Sequence, residues 1–366
     1  MTAELKEIFE QFTHEGTYLS GEIFGNGHIH DTYRIKTAES DKDDYILQKL
    51  NHNIFKDIPL LQKNIERVTV HLNSKLTKIV GANAKRECLT LIAAKNGKSW
   101  INDTDGNFWR LYIFITNHRS YGIVDSINKA FEGGRTVGRF QAMLADMQGE
   151  PLAETIPKFH DVENRLNIFL DTIQRNPKGR VSVAEAEIKE YLDRSEEMKI
   201  IMQLGREGKI PLRITHNDTK FNNILLDEND KALCITDLDT VMPGYVHYDF
   251  GDAIRTAANT AAEDEKDLSK IEMNIELFEA YANGYLSEMK NTLNEVEIEY
   301  LAFAPKLITY IIGLRFLTDY IDGDNYFKIY HEHHNLQRAK AQLKLVKSME
   351  RQYGEMKKII KKLVKQ

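Results

Sequence analysis

Cysteine is almost missing from this chain. Cys88 and Cys234 are its only two, far apart and outside any C-x-x-C spacing, which argues against a disulfide framework and against a thiolate-bound metal. No run of about eighteen apolar residues occurs, so no segment is expected to span a bilayer. Met1 to Phe12 is amphipathic and mixed in charge, without the apolar core of a secretory leader, and a cytoplasmic protein is the default expectation. Zinc finds little support either. No H-E-x-x-H accompanies His28 and His30 or the crowded His331, His333 and His334, and two histidines do not complete a site. Internal repeats and low-complexity tracts are absent, and the net charge of -6 argues against a nucleic-acid partner.

What remains is the composition of an ordinary globular enzyme, 42% hydrophobic and 28% charged, in a chain of 366 residues that can support two cores. Charge is unevenly spread. From Arg338 onward Lys344, Lys347, Arg351, Lys357, Lys358, Lys361, Lys362 and Lys365 face only Glu350 and Glu355. Leu343, Val346, Met349, Ile359, Ile360 and Leu363 recur there at helical spacing, so the tail reads as a C-terminal helix docked on the protein rather than as a membrane or nucleic-acid arm.

The opening third reads as strands at Leu19 to Phe24, Thr32 to Lys36, Tyr45 to Leu50, Leu89 to Ala93 and Phe108 to Ile115, with one helix over Ile58 to Leu76 where Pro59 suits a first turn. After the polar hinge Thr116 to Tyr121 the texture becomes helical: Ile123 to Gln148, Val162 to Arg175, Val183 to Gly205, Ser269 to Lys290, Val296 to Tyr320, and Leu336 to the end. Only Leu212 to Asp239 interrupts it with short β-like runs. The expectation is an α+β, bilobal architecture: a small antiparallel β-sheet lobe with one helix over residues 1–116, and a larger, mainly helical lobe over 117–366.

The interruption carries the chemistry. His216-Asn217-Asp218-Thr219-Lys220-Phe221-Asn222-Asn223 supplies a carboxylate and, after four intervening residues, an amide; Ile224 to Thr236 then leads to Asp237-Leu238-Asp239. That spacing can gather a substrate hydroxyl and Mg²⁺-bound phosphates around one point. It parallels the H-R-D-x-x-x-x-N and D-F-G elements of protein kinases, keeping only the leading Asp of the second. Asp218 is the candidate to orient or deprotonate the attacking hydroxyl, and Lys220 to lie near the transferred phosphoryl group. Asn223 and Asp237 are the candidate metal ligands, since Mg²⁺ wants oxygen donors and shares its shell with phosphates. Asp239 has two readings, a second metal contact or a solvated side chain. His216 reads as packed scaffold.

The nucleotide side is less determined. Gly25 and Gly27 let the backbone approach ATP closely or mark a plain hairpin turn, and His30 stands where a third glycine of G-x-G-x-x-G belongs. In Tyr45-Ile46-Leu47-Gln48-Lys49 the usual strand-three lysine aligns with Gln48, and strand alternation puts Lys49 on the other face. No A-P-E element follows Asp237, which argues against protein substrates. A catalytically silent binding protein is the reading of another class, and the presence of Asp218, Asn223 and Asp237 speaks against it.

Several segments together resemble the bacterial N-acetylhexosamine 1-kinases, within the aminoglycoside phosphotransferase/choline kinase branch of the kinase-like fold: Gly25 to Tyr33, Tyr45 to Phe55, His216 to Asn223, Thr236 to Gly244, Tyr248 to Arg255 and Arg315 to Phe327. The resemblance implies ATP- and Mg²⁺-dependent phosphorylation of the anomeric hydroxyl of N-acetylglucosamine or N-acetylgalactosamine. The expected partners are ATP and a small sugar, with no nucleic acid and no membrane, and a monomer is expected. It sets Asp218 against the 1-hydroxyl, Asn223 and Asp237 on the metal, and Gln48 at the nucleotide as the family's own residue in the lysine position. Arg315, Tyr326 and His30 fall in its sugar pocket, and Asp249, Asp252 and Arg255 in a charged network behind the site. The rival is a kinase for choline, homoserine, methylthioribose or an aminoglycoside. A cationic acceptor calls for acidic residues, and Glu263, Asp264 and Glu265 keep that reading open.

Overall fold

The computed structural model of the protein describes residues 2–25 and 29–365. The chain forms two compact units. The first holds Met1–His118, Asp146–Pro157 and Leu233–Met242; the second holds Arg119–Ala145, Lys158–Ala232 and Pro243–Gln366.

The first unit contains α1 (Thr2–Phe9), β1 (Tyr18–Ile23), β2 (Asp31–Thr37), β3 (Tyr45–Leu50), α2 (Ile58–Leu76), α3 (Ala84–Glu87), β4 (Leu91–Ile92), β5 (Ile101–Asn102) and β6 (Phe108–Ile113). Its sheet runs β1-β2-β3-β6-β4, with β5 also paired to β6. The sixth strand, β5, is only two residues long, too short to leave an alternating pattern in the sequence. One face of the sheet is apolar. Tyr45 and Leu47 of β3, Trp109 and Leu111 of β6 and Ile35 of β2 join Leu5, Ile8, Phe9 and Phe12 in a single buried cluster, each large side chain contributing roughly 1.5–3 kcal/mol. Alternation sends the intervening residues to the other face. There Thr32, Gln48 and Arg110 stand opposite one another across β2, β3 and β6, while Lys49 lies on the apolar side with its ammonium 5.9 Å from the Trp109 ring.

Helix α2 has the predicted limits because Asp57 caps it, accepting from the Leu60 N–H at 2.9 Å, and Pro59 occupies its first turn. Its Asn64 explains why two distant segments belong to this unit. The side-chain amide donates to the carbonyls of Ala153 (2.8 Å) and Val241 (3.1 Å) and accepts from the Ala153 N–H.

Short strands β7 (His118–Arg119), β10 (Ala232–Ile235) and β11 (Met242–Gly244) lie where the chain passes from one unit to the other. The second unit otherwise comprises α4 (Ile127–Leu144), α5 (Val162–Arg175), α6 (Glu185–Arg194), α7 (Ile200–Arg206), β8 (Arg213–Thr215), β9 (Ile224–Asp227), α8 (Val246–Ala257), α9 (Ile275–Met289), α10 (Glu295–Glu299), α11 (Ala304–Asp322) and α12 (His334–Val364). Helix α11 is buried on nearly every face and forms the centre of the core with residues of α5, α6 and α12. Helices α4 and α9 meet backbone to backbone. A methyl group on Gly134 would overlap the Tyr281 carbonyl, and one on Gly284 the Phe131 carbonyl.

Two expected long helices are divided and a third starts late, each for a local reason. Pro305, which has no N–H, starts α11 afresh after α10. Asn274 caps α9, accepting from Glu276 and Leu277, so that helix begins later than expected. The stretch 183–205 breaks at Ser195, whose hydroxyl and N–H both return to the Leu192 carbonyl. The basic tail is a docked helix. Leu336, Ala339, Leu343 and Val346 enter the core, while Lys347, Arg351 and Lys362 pair with Glu190, Glu272 and Glu279.

Candidate active site

In the second unit, the loop leaving β8 turns at Asn217, whose φ of 64° is the left-handed conformation that asparagine tolerates. Asp249, on α8, fixes this turn: its carboxylate accepts from the N–H groups of His216 (2.8 Å) and Asn217 (2.6 Å) and from the Gln141 amide (2.6 Å). Gln141 is itself held by the Tyr285 hydroxyl at 2.5 Å. Thr219 donates to the Asp249 carbonyl, and the Phe221 N–H donates to Thr256, so α8 anchors both sides of Asp218. His216 is fully buried against Phe140, the scaffold role expected of it.

This anchoring leaves the Asp218 side chain 22% and that of Lys220 33% exposed, with the Lys220 ammonium 2.6 Å from a carboxylate oxygen. The Asn223 amide nitrogen donates to the Asp218 carbonyl (2.9 Å) and carboxylate (3.2 Å). Burial pushes the Asp218 carboxyl up, but Lys220, with His216 and Arg255 behind it, outweighs burial and holds it below the ordinary value. Asp218 is therefore ionised at neutral pH, as a proton-accepting or hydroxyl-orienting group must be. Asp252 and Arg255 pair at 2.8 Å, and Arg255 reaches Glu263 at 2.5 Å, which makes Arg255 part of a buried ionic cluster.

A second group of residues in this unit surrounds Arg315. Its guanidinium lies 5.2 Å from the Phe159 ring, 5.4 Å from Tyr326 and 5.5 Å from Phe327. One turn further along α11, Asp319 accepts from the N–H groups of Asn325 (2.9 Å), Tyr326 (2.8 Å) and Phe327 (3.0 Å), fixing the loop that carries those rings. His160 joins the two groups of residues. It donates to the Asn217 carbonyl at 2.8 Å, and burial, reinforced by Arg315 and Arg165, lowers its pKa to about 3.

In the first unit Asp239 is not solvated. Its side chain is 2% exposed and takes Arg110 (1% exposed) bidentately at 2.5 and 2.6 Å. Because His30 Nδ1 accepts the Asn51 N–H, its Nε2 carries the proton and donates to Asp239 at 3.2 Å. Burial opposes the Asp239 charge, but Arg110 and His30 hold its pKa well below the usual range. Gln48 accepts from Arg110 Nε at 2.9 Å and donates to Thr32 at 3.0 Å. Asp237 is half-buried at φ 64° before the turn Leu238–Thr240, and its charge is one of those acting on Arg110. Gly25 has a φ of 74°; Gly27 and His28 lie outside the described residues.

Seven of the expected residues thus form three groups: Asp218 with Lys220 and Asn223, Arg315 with Tyr326, and Gln48 with His30 through Arg110 and Asp239. Sequence reasoning missed Arg110, Arg165 and Asp319. A lone arginine in the apolar strand Phe-Trp-Arg-Leu-Tyr-Ile was a signal for the first; nothing comparable marked the others. Among the described residues no three His, Cys, Asp or Glu side chains gather to hold a metal. The side-chain amide of Asn223 and the carboxylate of Asp237 carry oxygen donors of the hard type that suits Mg²⁺.

Solved structures with this fold include an amicoumacin kinase in complex with AMP-PNP and Ca²⁺ (TM-score 0.62, 13% identity, 93% of this chain and 92% of that one). An aminoglycoside phosphotransferase from Alicyclobacillus acidocaldarius matches with a TM-score of 0.59 at 9% identity over 95% and 96%. Choline kinase from Cryptosporidium parvum matches with a TM-score of 0.56 at 12% identity over 93% and 89%. These likenesses establish a protein-kinase-like α+β fold. The profile of the phosphotransferase enzyme family matches residues 20–292. With an ionised Asp218 on a lysine-bearing loop, the chain belongs to that family and is a small-molecule kinase that phosphorylates a hydroxyl group.

Proposed function

We propose that this kinase uses ATP and Mg²⁺ to phosphorylate the anomeric 1-hydroxyl of N-acetylhexosamines. The hydroxyl oxygen bonds to the γ-phosphorus, the bond from that phosphorus to the ADP oxygen breaks, and the hydroxyl proton passes to Asp218. Lys220 offsets charge on the transferred group. Asn223 and Asp237 would supply oxygen ligands to Mg²⁺, which would neutralise phosphate charge. Gly25 and Gly27 are the glycines assigned to the nucleotide, and Gln48 serves it by holding Arg110 in place. Arg315 and Tyr326 contact the sugar; His30, with both ring nitrogens engaged, shapes the site through Asp239.

The observation that supports the sugar reading is the Arg315 cluster. A guanidinium among three aromatic rings offers hydrogen-bond donors beside apolar faces, the combination a pyranose with hydroxyls and an acetamide requires. The acids that kept a cationic acceptor in play are engaged elsewhere: Glu263 with Arg255, Asp264 with His334, and Glu265 with Lys270. An acceptor panel followed by ADP release tests the proposal. Turnover of N-acetylglucosamine or N-acetylgalactosamine is expected; turnover of choline, homoserine, methylthioribose or an aminoglycoside alone overturns it.

A further inference from the structure

The environment of Arg315 contains a second cation. Arg165, on α5, donates from Nε (3.2 Å) and Nη2 (2.8 Å) to the carbonyl of Phe159, the residue whose ring lies against Arg315. Neither arginine has a carboxylate partner among the described residues. Among the described residues Arg315 is held by ring contacts. The nearby Asp161 spends its side chain capping α5, accepting the Asn164 N–H at 2.8 Å. Burial and then the charge of Arg315 bring Arg165 down to about 10, with Tyr326 and Asp161 acting in the opposite direction. His160, between these arginines and Asp218, is neutral.

We infer that Arg165 and Arg315 together make the acceptor side of this site selective by charge: it takes neutral or anionic acceptors and rejects those bearing an ammonium group. The inference rests on the proposed function and adds Arg165 as a specificity-determining residue. Two neighbouring guanidinium groups without a counter-anion are relieved by hydroxyl, amide-carbonyl or carboxylate oxygens. An ammonium group brought beside them meets like charge in a partly desolvated setting, where repulsion is screened far less than in water. Among hexosamines the consequence is a preference for the acylated over the free amine.

The test compares kcat/KM for N-acetylglucosamine and glucosamine at pH 6.5 and pH 9, in the wild type, in Arg165→Gln and in Arg165→Lys. The wild type is expected to favour the N-acetyl sugar by about tenfold or more at pH 6.5, equivalent to ~1.4 kcal/mol. The ratio should shrink at pH 9, where an amine of pKa about 8 is neutral. Arg165→Gln should shrink it at pH 6.5, and Arg165→Lys, which keeps the charge, should preserve it. Equal use of both sugars by the wild type at pH 6.5, or a ratio indifferent to pH and to Arg165→Gln, overturns the inference while leaving the sugar kinase intact. Should Arg165→Gln not fold, the wild-type pH series decides alone. Turnover of choline and of neither sugar overturns the proposed function and this inference together.

Discussion

Two ion pairs, one in each unit, have nearly the same composition and opposite settings. Arg110 and Asp239 are 1% and 2% exposed and locked bidentately; Lys220 and Asp218 are 33% and 22% exposed and share one short contact. In both, burial works against the carboxylate charge and a cation overcomes it. The buried pair is further bonded to protein groups: Gln48 on Arg110, His30 on Asp239. The other is held from behind by Asp249 and leaves its side chains partly open to solvent. Chemistry of the residues does not separate a structural pair from one proposed to react; access and the direction of support do.

The sharpest way to test that contrast is at Asp218. Asp218→Asn should lower kcat by about 10²–10⁴-fold while leaving the urea midpoint and nucleotide binding close to wild type. The reverse is expected in the first unit. Asp239→Ala or Arg110→Met leaves one buried charge without its partner and should cost about 3–5 kcal/mol of stability, read as a fall in the urea midpoint. Replacing both by apolar residues should cost less than either alone.

Acid should distinguish buried groups in the second unit. His160 and His247, whose folded pKa values are about 3 and about 4, are buried neutral, whereas an unfolded histidine titrates near 6.5. Protons therefore favour the unfolded chain below that value. Their contribution is complete above pH ~6.5 and is lost as pH falls toward the folded values, at up to ~1.4 kcal/mol per pH unit for each histidine. Unfolding followed from pH 7 to pH 4.5 should show this slope, and His160→Gln should remove its own share.

A smaller effect is expected at Asp319. Asp319→Asn weakens the bonds to the loop carrying Tyr326 and Phe327. It should raise KM for the acceptor roughly tenfold, the size of one charge-assisted hydrogen bond of ~1.5 kcal/mol, with KM for ATP unchanged. Equal changes in both would show a general loss of structure instead.

Much of this was readable from the chain. The limits of α2, β3 and α5 follow from periodicity and caps, and the four-residue gap picks out Asp218 and Asn223, which the structure joins by hydrogen bonds. Helix α8 was not legible. Nearly all of Val246–Ala257 is buried, Asp249, Asp252 and Arg255 included, so its polar residues do not mark a solvent-facing side of a helix and read as site residues instead. The function of Arg110 was hidden for a related reason: its partners lie 62 and 129 residues away, and only the sheet register brings Gln48 opposite it. The role of Asp249 likewise depends on a backbone turn at Asn217 that composition does not announce.

The most direct test is the phosphorus NMR spectrum of the product formed from ATP and N-acetylglucosamine by the wild type and by Asp218→Asn. The account predicts a sugar phosphate with its phosphorus coupled to the anomeric proton, formed by the wild type and not by the variant. Phosphate at another carbon, or undiminished product from Asp218→Asn, contradicts it.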